Sequence, residues 1–186
     1  RLSYLLWSSA PDAELLQAAR DGQLASSDGI AAQVKRMLAV SGKAARSAEL
    51  FVQDWVSLNS LDTAVREGMS REMLLELKAS ASATYKNLVV DGGLPITEIF
   101  RSRQFVLSPA LAEWIGLPPQ ADGAQTYDVA ALPDRVGLLT HPGVLAAISS
   151  SDSGGIVARG LFVMERLLCQ HAAPAARVFA IVNRDD

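Results

Sequence analysis

The side chains best suited to thiol or imidazole chemistry are scarce here, since the sequence holds one cysteine and two histidines. Cys169 and His171 lie two positions apart in "ERLLCQHAAPAARV" (165–178). Covalent haem attachment needs two thiols and an adjacent histidine, C-x-x-C-H, and the lone thiol excludes that motif. A cysteine nucleophile needs an imidazole within reach of its sulfur. At a helix end, side chains two residues apart diverge more often than they meet, so the pattern disfavours a nucleophile–base pair.

His141, in "LLTHPGV", is the remaining candidate for a ligand. Its imidazole could bind a metal or a haem iron, which makes it a weak candidate for cofactor binding. A single histidine among apolar residues is more often a hydrogen-bonded structural residue. Neither H-E-x-x-H nor a pair of C-x-x-C motifs accompanies it, so the sequence predicts no metal site and no cofactor within this chain.

Length, composition and charge indicate the class of protein in which these residues lie. The chain has 186 residues, of which 49% are hydrophobic, and a formal charge of −3. These values are typical of a globular protein, and no basic stripe indicates nucleic-acid binding. No apolar run approaches the ~20 residues of a membrane-spanning helix. The chain opens within a helical pattern, so we expect it to be a segment of a longer protein.

Helical periodicity runs through the first half of the chain. In "AARSAELFVQDWVSL", apolar residues recur at steps of three and four, and "SREMLLELKASASATYKNLVV" repeats the pattern. Paired strand signals are missing. We therefore predict a mainly α fold, an array or bundle of amphipathic helices with a looser C-terminal helical segment. The predicted core contains Leu15, Ile30, Val34, Phe51, Trp55, Leu77 and Tyr85.

The order of several motifs resembles a known pair of domains. "RLSYLLWSSAPDAELLQAARDGQL", "QVKRML", "FVQDWVSLNSL", "RVGLLTHPGVLA" and "VARGLFVMERLLC" together resemble the planctomycete-type cytochrome-associated domains of unknown function. These are two consecutive helical domains found in large exported bacterial proteins. The resemblance covers nearly the whole chain, and it implies a helical domain over residues 1–125 and a smaller helical domain, packed on the first, over residues 126–186.

The resemblance also implies a context for the chain. In that family the second domain precedes a short domain with a C-x-x-C-H haem motif, so haem c is expected on a neighbouring domain or chain. The expected partner is such a neighbour, for example a c-type cytochrome, and the expected location is periplasmic or extracellular. Two departures stand out, because a single proline follows Cys169 and the loop before "VARG" reads "SSSDSGG".

Cys169 then has two physically sensible roles. Exported proteins seldom leave a thiol exposed, because oxidising surroundings pair or modify it. The side chain is either buried near Leu167 and Leu168 or joined to a cysteine outside the chain, and the helical register slightly favours burial.

The function implied is that of a non-catalytic helical module that positions a haem-bearing domain or partner for electron transfer. The alternative is an interaction or substrate-binding scaffold in an extracellular or periplasmic complex. The sequence disfavours an enzyme without excluding one.

Overall fold

The computed structural model describes residues 1–120, 122–149 and 155–171. Two compact units divide the chain, the first formed by Arg1–Ala147 and the second beginning at Ile148. The predicted mainly α fold is confirmed. Over the described residues the α-helices are α1 (Leu2–Trp7), α2 (Ala13–Arg20), α3 (Ser27–Leu38), α4 (Ser41–Trp55), α5 (Arg71–Tyr85), α6 (Pro109–Trp114), α7 (Pro142–Ile148) and α8 (Ile156–Phe162).

Shorter elements connect the helices. Two strands, β1 (Gln104–Leu107) and β2 (Gln125–Asp128), pair antiparallel, with Phe105 opposite Tyr127. Turns of π-helix extend α5 over Lys86–Asp91 and α8 over Val163–Leu167. Turns of 3-10 helix cover Gln23–Ala25, Leu58–Asp62, Ile96–Phe100 and Leu138–Thr140. Because the sequence shows no paired strand signals, the pairing of β1 with β2 was not predicted.

Side-chain caps fix where several helices begin. The carboxylate of Asp12 accepts a hydrogen bond from the Leu15 amide and caps α2. Ser26, Ser70 and Ser108 cap α3, α5 and α6 in the same way, each accepting from the amide three residues on. These hydroxyls and the carboxylate satisfy amides that have no partner within the helix.

The core of the first unit differs in part from the predicted one. Leu15, Leu77 and Tyr85 are buried, as predicted, while Ile30 and Phe51 are 42% and 49% exposed. Val34 and Trp55 are only half-buried. The assignment of these four residues to the core was therefore wrong.

The rotation of α4 about its axis explains the error at Phe51 and Trp55. Val52 of the helix and Val56, which directly follows it, are completely buried instead. Phe51 stacks on Trp55, with ring centroids 5.8 Å apart, and Trp55 meets the edge of Phe100 at 6.4 Å. The most regular apolar stripe of α4 thus forms a half-covered aromatic surface.

The predicted domain boundary at residue 125 falls at the start of β2. Strand β2 pairs with β1, and the compact first unit continues to Ala147. Leu138 and Val144, which follow the boundary, are buried in the described structure. Residues 126–147 therefore belong to the same compact unit as the helices before them.

Candidate functional site

His141 lies between the 3-10 turn Leu138–Thr140 and the first residue of α7. Its side chain is completely buried. The ring packs against Phe105 of β1, with centroids 4.8 Å apart. The imidazole therefore sits where α5, β1 and α7 come together, rather than on a surface open to a ligand.

Hydrogen bonds fix the tautomer of this ring. The backbone N–H of Gly143 donates to Nδ1 over 3.1 Å, so Nδ1 carries no proton. The proton of the neutral ring is then on Nε2, which lies 3.2 Å from the Ser80 hydroxyl oxygen. Ser80 in turn donates to the carbonyl oxygen of Val106 over 2.5 Å. Both ring nitrogens are thereby engaged within the protein, as buried polar groups require.

The Ser80–His141 pair resembles a nucleophile and its base, but its protons run the wrong way. A catalytic histidine accepts the serine proton at one nitrogen and donates from the other to an orienting acceptor. Here Nε2 donates toward Ser80, and the orienting group is an amide donor. The serine proton is committed to the Val106 carbonyl. The chain Gly143–His141–Ser80–Val106, which we call the His141 network, is suited to holding elements together.

Electrostatics support the neutral form of this ring. Burial, and to a smaller extent the positive charge of Arg135, together lower the pKa of His141 to about 3. A protonated ring would lose its bond from the Gly143 amide and place an unpaired charge in the core. The imidazole therefore stays neutral across the physiological pH range.

Helix α5 completes the outer hydrogen bonds of β1. The Val106 amide donates to the hydroxyl of Thr84 over 2.9 Å, while its carbonyl accepts from Ser80. An edge strand normally presents such groups to a further strand. Two helix side chains take that role here, which joins α5 to the sheet without a third strand.

Two glycines allow the segment around His141 to approach this surface. A Cβ atom on Gly143 would collide with the carbonyl oxygen of Leu77 in α5. Gly137 has a φ of 69° and lies against the backbone of Phe100, while its amide donates to the Ser102 carbonyl. The motif "RVGLLTHPGVLA" is thus a tightly packed joint, in which any side chain at either glycine would push the backbone away.

A second cluster joins the first three helices. The indole N–H of Trp7 donates to the Met37 carbonyl over 2.8 Å. The guanidinium of Arg36 donates two hydrogen bonds, of 2.7 and 3.0 Å, to the carboxylate of Asp12. These hydrogen bonds to Arg36, and the one from the Leu15 amide, lower the pKa of Asp12 to about 2. Lys43 lies over the Trp7 ring, 4.3 Å from its centroid.

Two apolar hollows flank α1 on the surface of the first unit. The larger, of about 580 Å³, is lined by Arg1, Leu2, Leu5, Leu24 and Ile30. The smaller, of about 360 Å³, is lined by Leu5, Leu6, Leu38, Ala44, Ser47, Ala48, Phe51 and Tyr85. Leu5 belongs to both and is 73% exposed. It forms the wall between them.

Cys169 is exposed and free in the described structure, so the slight preference for burial was wrong. Its residue has a φ of 52° and follows the π-helical turn, where the backbone turns away from the helix. A disulfide to a cysteine outside the chain stays a prediction. His171 is also exposed.

Neither a metal site nor a membrane span is found in the part of the chain that the structure describes. No group of three or more metal-binding side chains comes together among residues 1–120, 122–149 and 155–171. No helix in these ranges has the length and hydrophobicity to cross a bilayer.

In the described residues, the fold is mainly α-helical, and the buried side chains of Ser80, Thr84 and His141 connect α5 to β1 and α7. Residues 1–117 match the family described as PSD4, protein of unknown function (DUF1592). Residues 135–186 match PSCyt3, protein of unknown function (DUF1588). Because the first match covers more than half of the sequence, the chain belongs to the PSD4 family, and the resemblance to cytochrome-associated domains is confirmed. No curated protein and no solved structure matches the chain.

Sequence reasoning missed the partners of His141. Its hydrogen-bond partner Ser80 lies in the run "ASASATY", where small and hydroxyl-bearing residues replace the large apolar ones of a usual buried helix face. Hydroxyl residues within a helix compete with its backbone bonding. Such a run is therefore a signal that another backbone approaches closely, although it does not identify which one.

Proposed function

We propose that this chain is a non-catalytic helical module of a cytochrome c-associated protein, and that it positions a haem-bearing domain or partner for electron transfer. The observation that carries the proposal is the His141 network. It anchors residues 135–147, which begin the PSCyt3 match, within the compact unit that also contains the PSD4 match. A segment anchored at its start in this way leads the chain toward a neighbouring haem-bearing domain from a fixed position.

The side chains available fit a positioning role better than a catalytic one. Ser80 and His141 are buried and hold each other in a non-catalytic proton arrangement. A lone thiol cannot attach haem c through two thioether bonds, so the proposal places the haem on a neighbouring domain or chain. The family resemblance further supports a periplasmic or extracellular location.

The haem is tested on the native full-length protein and its co-purifying chains. We expect a c-type haem spectrum from that material, and no Soret band after acid–acetone extraction of the 186-residue chain alone. Native material without any haem would contradict the proposal. His141→Ala in the chain should leave the haem spectrum of the native assembly unchanged, because both ring nitrogens are already bonded.

The positioning role is tested with two matched glycine substitutions in the full-length protein. In Gly143→Ala the added Cβ atom forces residues at the start of the PSCyt3 match away from Leu77. In Gly42→Ala the added Cβ atom has no other atom within 4 Å. We expect Gly143→Ala to slow electron transfer between the haem and its co-purifying partner while the haem content stays constant. Gly42→Ala should change neither. Equal transfer rates in both variants would contradict positioning.

The alternative, a scaffold for interaction in an extracellular or periplasmic complex, is favoured by the two apolar hollows beside Leu5. Monomeric proteins rarely expose large contiguous apolar patches unless those patches bind something.

A further inference from the structure

The exposed apolar surface beside α1 has a shape that complements itself. Leu5 lines both hollows, and it is 73% exposed. In a twofold dimer the same patch meets itself, so each protrusion must face a depression on the same surface. A protruding leucine with a hollow on either side meets that requirement.

The residues around the two hollows are of the kind found at interface centres. Leu38, Phe51 and Ile30 line them and are 51%, 49% and 42% exposed. Among the described residues that line either hollow, Arg1 is the one with a charged side chain. The buried centres of protein interfaces are likewise depleted of charge and rich in aromatic and aliphatic side chains.

The apolar area is what a dimer of ordinary size would use. At roughly 200 Å² for a large apolar side chain, Leu5, Ile30, Leu38 and Phe51 together present about 400 Å² to solvent. A standard interface covers about 800 Å² on each partner, a little over half of it non-polar. The patch therefore matches the apolar share of one such interface.

The floor of the smaller hollow permits close approach. Ala44 and Ala48 of α4 are one helical turn apart, and both line it together with the larger side chains of Leu38 and Phe51. Small residues spaced by four create a groove into which a side chain from a second helix can pack. The stripe of α4 that the periodicity assigned to the core is thus available to a partner.

We infer that this surface is a homodimer interface, in which Leu5 of each copy inserts into a hollow of the other copy. The occupant is a second copy of the same chain, and the interface is centred on α1. The inference is independent of the haem-positioning proposal.

Sedimentation equilibrium of the 186-residue chain over a wide concentration range tests the interface. We expect a reversible monomer–dimer equilibrium. Leu5→Glu should raise the dimer dissociation constant by roughly 100-fold, because it places a charge at the centre of an apolar interface. Leu38→Glu, in the smaller hollow, should weaken the dimer as well.

Val65→Glu is the matched control, since Val65 is 87% exposed and lines neither hollow. It should leave the dissociation constant unchanged. Urea midpoints of the three variants and the parent, measured at protein concentrations far below the dimer dissociation constant, report folding of the monomer separately from association. Substitutions at exposed positions should keep the midpoint of the parent monomer. A chain that stays monomeric at all concentrations would overturn the inference. So would a dimer that tolerates Leu5→Glu as well as it tolerates Val65→Glu.

Discussion

A neutral imidazole buried in a core can connect two elements through hydrogen bonds, and their contribution to stability depends on pH. The two nitrogens of His141 connect the amide of Gly143 in α7 to Ser80 in α5. Because the ring has both an acceptor and a donor, it can bridge two groups that an apolar side chain would leave unsatisfied. The ring makes both hydrogen bonds only while it is neutral, so protonation in acid should break the bond from the Gly143 amide.

The sign of this pH dependence is set by the proton affinity of the ring in the folded and unfolded chain. The pKa of His141 falls from 6.5 to about 3 in the folded protein. Above pH 6.5 the ring is neutral whether the chain is folded or not, and its contribution is fully present. As the pH falls from 6.5 toward 3, the unfolded chain binds a proton that the folded chain refuses, and stability is lost.

We therefore predict that His141 causes an acid loss of stability above the range of the carboxylates. Between about pH 7.5 and pH 4.5, its titration should lower the free energy of unfolding by about 3 kcal/mol. His141→Asn keeps an acceptor for the Gly143 amide but removes the Nε2–H donor to the Ser80 oxygen, and should cost about 2 kcal/mol at neutral pH. The variant should lose much less stability on acidification than the parent.

Urea titrations at both pH values measure these differences. His171→Ala is the control, because His171 is exposed and its removal should leave the acid loss intact. If the parent and His141→Asn lose the same free energy of unfolding on acidification, the His141 imidazole does not titrate as proposed.

At the scale of elements, the buried indole of Trp7 and the ion pair between Arg36 and Asp12 hold the N-terminal helices together. Arg36 of α3 binds Asp12, which also caps α2, and Arg36 and Lys43 both lie near the face of the Trp7 ring. The motifs "PDAELL" and "QVKRML" are therefore two sides of one contact.

We predict that Asp12 connects α2 to α3 mainly through its charge. Asp12→Asn keeps an oxygen for the Leu15 amide but weakens the paired bonds to Arg36, and should cost about 1.5–3 kcal/mol. Asp12→Ala also removes the cap and should cost about 1 kcal/mol more. Because the folded pKa of Asp12 is lowered to about 2, this contribution is present above the unfolded value of 3.8 and is lost as the pH falls toward 2.

Chemical denaturation at neutral pH measures both costs. Glu49→Gln offers a comparison, since Glu49 pairs with Arg46 in an exposed i,i+3 arrangement. Exposed pairs of that kind contribute about 0.5 kcal/mol or less. A cost for Asp12→Asn no larger than that of Glu49→Gln would show that the pair does not fasten the helices.

The elements also show which parts of the fold were accessible from the sequence. Periodicity predicted α4 and α5, since apolar residues must recur at helical spacing for a helix to bury one side. It correctly placed Leu77 in the core but also placed Phe51 there, because a stripe facing an uncovered hollow has the same period as one facing a core. The pairing of β1 with β2, and of Ser80 with His141, depends on contacts between distant residues, which local patterns do not encode.

At the scale of the whole molecule, the two family matches and the compact units do not share a boundary. The PSCyt3 match begins at residue 135, yet the first compact unit extends to Ala147. Between these positions lie Leu138, His141 and Val144, all buried. The first unit thus draws part of its core from the start of the second matched segment.

We predict that a fragment ending at the boundary expected from the sequence, residues 1–125, does not fold cooperatively, whereas residues 1–149 do. The shorter fragment loses most of β2, which leaves β1 unpaired on one side, and it exposes Phe105 and Leu77 to water. Truncating even one large buried apolar side chain costs about 2–5 kcal/mol, and domains are stable by only about 5–15 kcal/mol in total. Circular dichroism during urea unfolding should show a sigmoidal transition for 1–149 and a gradual one for 1–125.

Gly143→Ala in the 1–149 fragment should move its midpoint toward lower urea, because it pushes the His141 segment off α5, while Gly42→Ala should leave the midpoint in place. Equal midpoints for the two fragments would mean that residues 126–147 add nothing to the fold, and the anchoring of the second segment would then have no energetic basis.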